Sequence, residues 1–404
     1  MDPASGAKPA RRVTIVQYAG DFREAAERLA EGGPETYRGQ RYTVEHVERL
    51  ASRHDVTTVT GFTDQPYDVV LPSGGRAIGA GFRTAFDGAA MARIVAGTKP
   101  DALILRSPIR PVLWWALRGR CRTLVLLADS FDTRTLKGRI GRTILSLFLR
   151  ARSFDWVANH GRRAAEQLVA AGVPAGKVVP WDYPAFDRPE DRPPKTAAGP
   201  ETRILYVGLM IAEKGVGDLM EATRLLEASG RRVRVDLIGR LDDGWLSRLV
   251  AEKGLTESVR QVGPVRNDEI VPLMRQADVV VVPSRHAYPE GMPLTIYEAL
   301  CSRTPLVVSD HPMFAGNVVD GESGLVFPAG DPGALADRIA RLLADEALYG
   351  RLSAGSAAAW ERLQVPLKWD RLIDDWLENS PESRARLAAH ALDRSPSTTA
   401  RSAP

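Results

Sequence analysis

The sequence predicts an α/β protein of two βα-repeat domains, and three observations carry that prediction. Short apolar runs rich in valine, isoleucine and leucine recur along the chain, as parallel strands buried on both faces require. Helical-period segments separate them, the alternation of a parallel sheet covered by helices. Residues 185–200, AFDRPEDRPPKTAAGP, interrupt that alternation with proline and charge and few large apolar side chains, the composition of a linker. At 404 residues the chain exceeds one ordinary core, so the linker divides a domain over 11–184 from one beginning at 201.

Composition bounds the function class. Hydrophobic residues at 44% and charged residues at 26% are those of a globular protein in water. Fifty-four basic against 50 acidic residues leave a net charge of +4, which permits anionic substrates or lipid head groups without arguing for nucleic acid. Cys121 and Cys301 stand alone in different domains, so neither a disulfide framework nor a zinc cluster is expected. No apolar run reaches the length of a membrane span, and MDPASGAKPARR lacks an apolar signal core, so a cytoplasmic protein is expected.

In the first domain, residues 1–10 read as a disordered lead and Val13 to Val16 as the first buried strand. A polar, glycine-bearing stretch over 19–39 follows, then an amphipathic helix from Tyr42 to Ser52 and a strand from Val56 to Thr60. The long segment between first strand and helix suits a substrate loop. Strands at Ala102 to Leu105 and Thr123 to Leu127, separated by a Trp114-Trp115 helix, end in Arg106-Ser107 and Asp129-Ser130. Ligands bind beyond the carboxyl ends of parallel strands, so these side chains are set to meet a substrate. Two roles are open to Asp129, a base or acceptor-positioning group and a cap for the next helix.

Two arrangements are also open to RTLKGRIGRTILSLFLRAR, residues 134–152. It can lie on an anionic membrane surface, which fits a lipid-linked acceptor, or bury its apolar side on the sheet and solvate its basic face. Asp155 to Asn159 reads as the last buried strand, with the helix Arg162 to Ala171 and the segment Lys177 to Trp181 after it.

In the second domain, strands are expected at Arg203 to Val207, Val233 to Ile238, Val259 to Val262, Val279 to Val282, Leu306 to Ser309 and Gly324 to Phe327. Two such domains joined by one linker put a cleft between them. After the first of these strands, Gly208 makes a turn and Lys214-Gly215 precedes a helix, a cradle in which lysine supplies a compact positive charge to a diphosphate. A surface lysine is the plainer alternative.

The central stretch, Val282 to Asp331, is VPSRHAYPEGMPLTIYEALCSRTPLVVSDHPMFAGNVVDGESGLVFPAGD. Pro-Ser stops a buried strand, and Pro293 suits the first turn of a helix bearing Ile296, Ala299 and Leu300 at helical spacing. Gly291 therefore precedes a helix N-terminus, whose free N–H groups suit phosphate oxygens. Glu290 and Glu298 can face one crevice at different depths, and a carboxylate accepts two hydrogen bonds from a vicinal diol. Two solvated glutamates on a surface helix are the alternative.

With PS, EG(M)P, Glu-x7-Glu, EAL, TPLVVSD, DGESGLVF and PAGD in this order, the stretch resembles the nucleotide-binding core of family 4 retaining glycosyltransferases. The resemblance implies an α/β GT-B fold, two Rossmann-like βαβ domains facing an inter-domain cleft. It implies transfer of a sugar from a nucleoside diphosphate sugar to a glycan, lipid-linked or small-molecule acceptor, in glycan, polysaccharide or glycolipid biosynthesis. No metal or other cofactor is required, and no nucleic acid partner is expected. Carried onto matching positions, donor binding falls to Gly208, Lys214, Gly239, Arg266 and the run Glu290, Gly291, Met292, Pro293, Leu294 with Glu298. Glu290 meets the donor sugar and Glu298 the ribose. The catalytic set is Glu290, Lys214 and Asp129, and the acceptor side is Gly39, Arg106 and Asp129. A nucleotide-sugar-binding domain over 201–360 is followed by a terminal helix over 361–380, carrying Leu367, Leu372, Ile373 and Trp376, that returns to the first domain. Residues 381–404 form a largely disordered tail. Peripheral contact at the inner face of the cell membrane, through residues 134–152, is an option.

The chain departs from the pattern at four places. Leu209 replaces an arginine, for which Arg285 or Arg240 is a candidate substitute, and Ala128-Asp129 stands where a histidine is usual. Only Gly39 matches the turn before the first helix. Asp310-His311-Pro312-Met313 replaces a glycine-rich turn, leaving His311 either a phosphate contact or a local cap. Arg266 is open to contact with the base or to exposure on its loop. Two rival readings stand: a sugar-nucleotide epimerase of the same fold, against which the Glu-x7-Glu spacing argues, and a catalytically idle nucleotide-sugar-binding scaffold, which Leu209 and the absent histidine favour.

Overall fold

Residues 10–119, 121–128, 136–196, 201–240, 244–288, 290–291 and 294–394 are described in the computed structural model of the chain. They fall into two units, one made of Met1–Tyr183 with Val365–Pro404 and the other of Pro184–Gln364.

In the first unit the chain runs β1 (Arg12–Gln17), α1 (Phe22–Ala30), α2 (Gln40–Ala51), β2 (Asp55–Phe62), β3 (Pro66–Val70), β4 (Arg76–Phe82), α3 (Gly88–Gly97) and β5 (Ala102–Leu105). It continues α4 (Arg110–Leu117), β6 (Arg122–Leu127), α5 (Leu136–Leu149), β7 (Phe154–His160), α6 (Arg162–Ala170) and β8 (Val178–Trp181). The sheet order is β3-β4-β2-β1-β5-β6-β7-β8. All pairs are parallel except β3 with β4. Val16, Leu103, Leu105, Val125 and Leu127 are buried in its core, as continuous apolar strands covered on both faces must be.

Several segments differ from expectation. The stretch 19–39 contains α1, capped by the Asp21 carboxylate on the N–H groups of Arg23 and Glu24. Its buried face is Phe22, Ala25, Ala26 and Leu29, too small in area to stand out in a charged segment. The β3–β4 hairpin and α3 are additions to the expected elements; in the hairpin, RAIGAGF is rich in glycine and β3 opens on proline, which weakens the strand signal. Lys177 to Trp181 is no trailing segment: β8 is buried throughout and pairs with β7, so β7 is not the last strand. On α5, Phe148 and Leu149 pack inward, whereas Ile140, Ile144 and Leu147 stay exposed beside exposed Trp114. Among the described residues no helix is long and apolar enough to cross a membrane.

The second unit runs β9 (Thr202–Val207), α7 (Val216–Ala228), β10 (Val233–Ile238), α8 (Trp245–Glu252), β11 (Val259–Gly263) and α9 (Asn267–Gln276). Then come β12 (Val279–Val282), α10 (Leu294–Ser302), β13 (Leu306–Ser309), β14 (Leu325–Phe327), α11 (Pro332–Ala344) and α12 (Glu346–Leu363). Its sheet is β11-β10-β9-β12-β13-β14, all parallel. All four valines of β12 are buried, each contributing about 1.5–3 kcal/mol.

The segment read as a free linker is fastened to this unit. The Lys195 N–H donates to Ser353 Oγ at 2.6 Å, and its ammonium reaches the carbonyls of Arg275 and Ala277 at the end of α9. Arg303 Nε donates to Pro189 O at 2.8 Å and Cys301 Sγ lies 3.3 Å from Asp187 O. These carbonyls need donors, and the strap supplies or receives them.

From Val365 the chain belongs again to the first unit, through α13 (Trp369–Glu378) and α14 (Pro381–Ala389). Leu372, Ile373 and Trp376 are buried, and Trp376 Nε1 donates to Asp155 Oδ2 at 2.8 Å. Part of the expected tail is thus the helix α14, capped by Ser380 with Pro381 at its first position. Arg386 fixes it by pairing with the buried Asp375 at 2.6 Å.

Candidate functional site

In the second sheet β9 pairs with both β10 and β12, so the strand order reverses at β9 and β12. Such a reversal opens a crevice beyond the carboxyl ends, and the loops after these strands carry most of the expected donor residues. Gly208 follows β9 and Gly239 follows β10. The Gly208 N–H donates to Ile238 O at 2.9 Å and the Gly239 N–H to Gly263 O at 3.1 Å. A Cβ on Gly239, at φ +145°, would lie 1.9 Å from Gly208 O, and one on Gly215, at φ +73°, 2.0 Å from Pro283 O. Glycine lets these backbones meet at the carboxyl ends of the strands.

Lys214 closes a short turn and Gly215 opens α7. The Lys214 ammonium lies 2.5 Å from Glu290 Oε1 and 4.2 Å from the centroid of the Tyr288 ring. Ser284 Oγ donates to the same Oε1 at 2.5 Å. Glu290 is 4% exposed, so its charge is stabilised by these donors rather than by water. Among the described residues both of these bonds go to Oε1 and none reaches the second oxygen. Burial, aided by the Glu290 carboxylate and Tyr288, holds the Tyr206 hydroxyl protonated far above its ordinary range. That hydroxyl donates to Leu209 O at 2.6 Å and pins the turn.

The loop bearing Glu290 is held from several sides. The Arg285 N–H donates to Glu213 O at 2.9 Å, and Ser309 Oγ to Ser284 O at 2.6 Å. Tyr288 O lies 2.9 Å from the Glu290 N–H and 3.0 Å from His311 Nε2. The Met313 N–H points at His311 Nδ1 from 3.2 Å, so Nε2 is the nitrogen left to carry the proton. These bonds give His311 the role of a local cap that also braces the loop.

Arg285 forms a two-pronged pair with Asp218, at 2.8 and 2.5 Å, in the first turn of α7. It is therefore engaged with an acid of its own unit, while Leu209 and Arg240 are both exposed. Arg266 caps α9 and turns its fork onto Asp268, at 3.0 and 2.8 Å, on an exposed loop. It meets none of the other expected donor residues through these bonds. Leu294 is the first residue of α10, Glu298 is buried on that helix, and Gly291 is half-buried before it. Met292, Pro293 and Asp129 lie outside the described residues.

Gly39 and Arg106 belong to the first unit. Gly39 caps α2 at φ +85°, where a Cβ would meet the Tyr183 ring at 2.7 Å. Arg106 follows β5 and its Nη1 donates to Gln17 Oε1 at 2.9 Å. Ser284 and Tyr288, the neighbours that hold Glu290 and Lys214, were not singled out. The Pro-Ser pair contained Ser284, but nothing in sequence marks Tyr288 as the ring beneath the lysine. Among the described residues no group of three His, Cys, Asp or Glu side chains is placed to hold a metal ion.

Residues 187–358 match the sequence profile of a family described as Glycosyl transferases group 1. The amylovoran biosynthesis glycosyltransferase AmsK of Erwinia amylovora is 30% identical over 185 residues, 45% of this chain and 46% of that protein. The chain spans about half or less of the length of the curated relatives it matches. A sucrose-phosphate synthase from Thermosynechococcus elongatus superposes with a TM-score of 0.65 at 18% identity, over 93% of this chain and 100% of that one. Anabaena HepE, in complex with UDP and glucose, gives 0.62 at 15%, over 93% and 100%. Likeness at this identity is one of fold, and the fold is GT-B, α/β with two Rossmann-like units.

Proposed function

We propose that the protein is a retaining glycosyltransferase that moves a sugar from a nucleoside diphosphate sugar to an acceptor in glycan, polysaccharide or glycolipid biosynthesis. The observation that carries this reading is the Lys214–Glu290 pair at the reversal of the second sheet, inside the segment that matches the group 1 profile. A lysine beside a crevice lined by strand-end glycines suits a diphosphate, and the second oxygen of Glu290 suits a sugar hydroxyl. The likeness to AmsK, a glycosyltransferase of amylovoran biosynthesis, and to HepE in complex with UDP and glucose supports a nucleotide-sugar donor and a glycan product.

In the reaction, the acceptor oxygen attacks the anomeric carbon from the side on which the diphosphate leaves. The carbon–oxygen bond to the diphosphate breaks, and a leaving phosphate oxygen takes the acceptor proton. Lys214 offsets the charge growing on the leaving group, a fixed electrostatic contribution that needs no divalent cation. Glu298 is assigned to the ribose hydroxyls, and Gly291 with Met292, Pro293 and Leu294 to the diphosphate at the start of α10. Gly208 and Gly239 allow close approach to the diphosphate, and Arg266 lies toward the base. Asp129 and Gly39 belong to the acceptor side. Exposed Ile140, Ile144 and Leu147 on α5, beside Trp114, support contact with a membrane surface at the inner face of the cell membrane and so a lipid-linked acceptor.

Calorimetric titration without metal, against uridine, guanosine, adenosine and thymidine diphosphates, tests the reading. Binding of one nucleotide, lost in Lys214→Ala and Glu298→Ala, is the expected result. Folded protein that binds none would remove the donor site, and turnover of donor sugar without any acceptor would point to an epimerase.

A further inference from the structure

The first unit carries a cation that the donor site leaves unused. Its sheet also reverses, because β1 pairs with β2 on one side and β5 on the other, and the crevice beyond those carboxyl ends is a second natural ligand position. Gln17 ends β1 and Arg106 follows β5. The Arg106 N–H donates to Val16 O at 2.8 Å, and its Nη1 to Gln17 Oε1 at 2.9 Å. Gln17 is itself buried and donates to Gly20 O and Thr60 Oγ1, so it holds the guanidinium in one place. The other groups acting on Arg106 are the tyrosines Tyr37 and Tyr183. Among the described residues no carboxylate pairs with it, whereas Arg12, Arg76 and Arg122 in the same unit each have an aspartate. The nearby Asp182 is engaged by His160 at 3.0 Å and by the Tyr183 N–H at 2.7 Å. A sheltered guanidinium has five donors, and one amide and one phenol, both neutral, satisfy little of that capacity or of its charge.

The loop over this position is built rather than slack. Gln40 Oε1 accepts from the Thr36 N–H at 2.8 Å, Thr36 Oγ1 at 3.1 Å and Arg28 Nη2 at 3.1 Å. The Arg41 N–H donates to Glu35 Oε1 at 2.6 Å, and Gly39 packs against the Tyr183 ring. Six residues of chain are thereby fixed so that Tyr37, partly exposed, stands beside Arg106. Arg106 and Tyr37 offer donors and a positive charge, and among the described residues no carboxylate pairs with the guanidinium, which suits an oxyanion.

We propose that Arg106 and Tyr37, held by Gln17 and the 35–40 loop, form a subsite for a phosphate ester on the acceptor. The proposal rests on the glycosyltransferase reading for the word acceptor, but the subsite itself does not depend on the donor site. A soluble sugar phosphate and a lipid-linked phosphate share this chemistry.

The test is phosphorus NMR titration of inorganic phosphate with the full chain, comparing wild type, Arg106→Gln, Tyr37→Phe and Lys214→Ala. Phosphate affinity is expected to fall at least tenfold in Arg106→Gln and about threefold in Tyr37→Phe, and to persist in Lys214→Ala. Nucleoside diphosphate affinity is expected to be unchanged in Arg106→Gln. Should Arg106→Gln fail to fold, Arg106→Lys keeps the charge but not the fork and is expected to bind within tenfold of wild type, with Tyr37→Phe still weakened. Equal binding by wild type, Arg106→Gln and Tyr37→Phe would overturn the proposal, as would loss in Lys214→Ala alone, which would put the phosphate in the donor cradle. Displacement by glucose 6-phosphate identifies the soluble form of the acceptor, and Arg106-dependent binding to vesicles containing phosphatidic acid the lipid form. Failure of every nucleotide to bind, with phosphate binding at Arg106 intact, would remove the donor reading and leave the subsite.

Discussion

The ammonium of Lys214 and the carboxylate of Glu290 are 2.5 Å apart, although 76 residues separate them in sequence. Two groups expected to serve a diphosphate and a sugar are each other's partner before either ligand arrives. The pair lies in a place largely shut off from water, with side-chain exposures of 14% and 5%. Removing one member of such a pair leaves the other charge uncompensated, at about 3 kcal/mol. Glu290→Gln is therefore expected to lower the melting temperature of the free protein and to bind nucleoside diphosphate about threefold to tenfold more tightly, while sugar transfer falls about a hundredfold. Scanning calorimetry with and without nucleotide, and initial rates, check the three effects; a variant that loses nucleotide affinity would mean Glu290 itself holds the diphosphate.

Leu209 is exposed on the turn after β9, and its carbonyl is pinned by Tyr206. Arg285 is committed to Asp218, which leaves exposed Arg240 as the candidate for the second cation that the resemblance expects. Leu209→Arg is expected to tighten nucleoside diphosphate binding about tenfold at low ionic strength, with most of the gain gone at about 0.5 M salt. Titration at two salt concentrations measures it, and an unchanged affinity at both would mean residue 209 faces away from the ligand.

Gly239 cannot carry a side chain without displacing Gly208 O, and its backbone already lies in a region that favours glycine. Gly239→Ala is expected to cost about 2–4 kcal/mol, read as a lower urea midpoint with an unchanged slope. Nucleotide binding should weaken with it, because the loops after β9 and β10 must separate. Gly230, where a Cβ meets nothing, is the control: the cost there is confined to its positive φ.

Glu221 on α7 receives Arg224 Nη2 at 2.6 Å and Lys253 Nζ at 2.5 Å, and these two partners pull its carboxyl from 4.5 down to about 2. A folded value below the unfolded one means the stabilisation is complete above the ordinary carboxylate range. It is lost as pH falls through that range toward about 2. Solvent screening limits it to about 0.5 kcal/mol. Glu221→Gln is expected to be less stable than wild type by that amount at pH 7 and equal to it near pH 2, in chemical denaturation at a series of pH values.

The strands at Ala102–Leu105, Val233–Ile238, Val279–Val282 and Leu306–Ser309 lie where their apolar runs put them, since a strand buried on both faces leaves no other sequence trace. What escaped depends on tertiary context. In α1 two of the four buried residues are alanines, β3 exposes alternate residues, and α14 is held by one arginine on a buried aspartate from another helix. At the site, the order of motifs identified the loops, but not which side chains meet. Lys214 finds Glu290 and Tyr288 only through the convergence of two loops, and Arg285 finds Asp218 in the same way. The fastening of Lys195 was equally invisible, because it is made to carbonyls that every sequence possesses.

The return of the chain to the first unit at Val365 has a consequence for synthesis. His46 takes its aspartate from α13, Asp155 its tryptophan from α13, and the N–H of Leu392 bonds to Val178 O on the edge strand. A ribosome delivers these partners only after the whole of Pro184–Gln364 has emerged. The unit begun first is thus finished last, and the one begun second is contiguous and can close on its own. Until α13 and the segment after α14 arrive, His46 and the edge of β8 stand uncovered on the nascent chain, which makes them the surfaces a chaperone would meet.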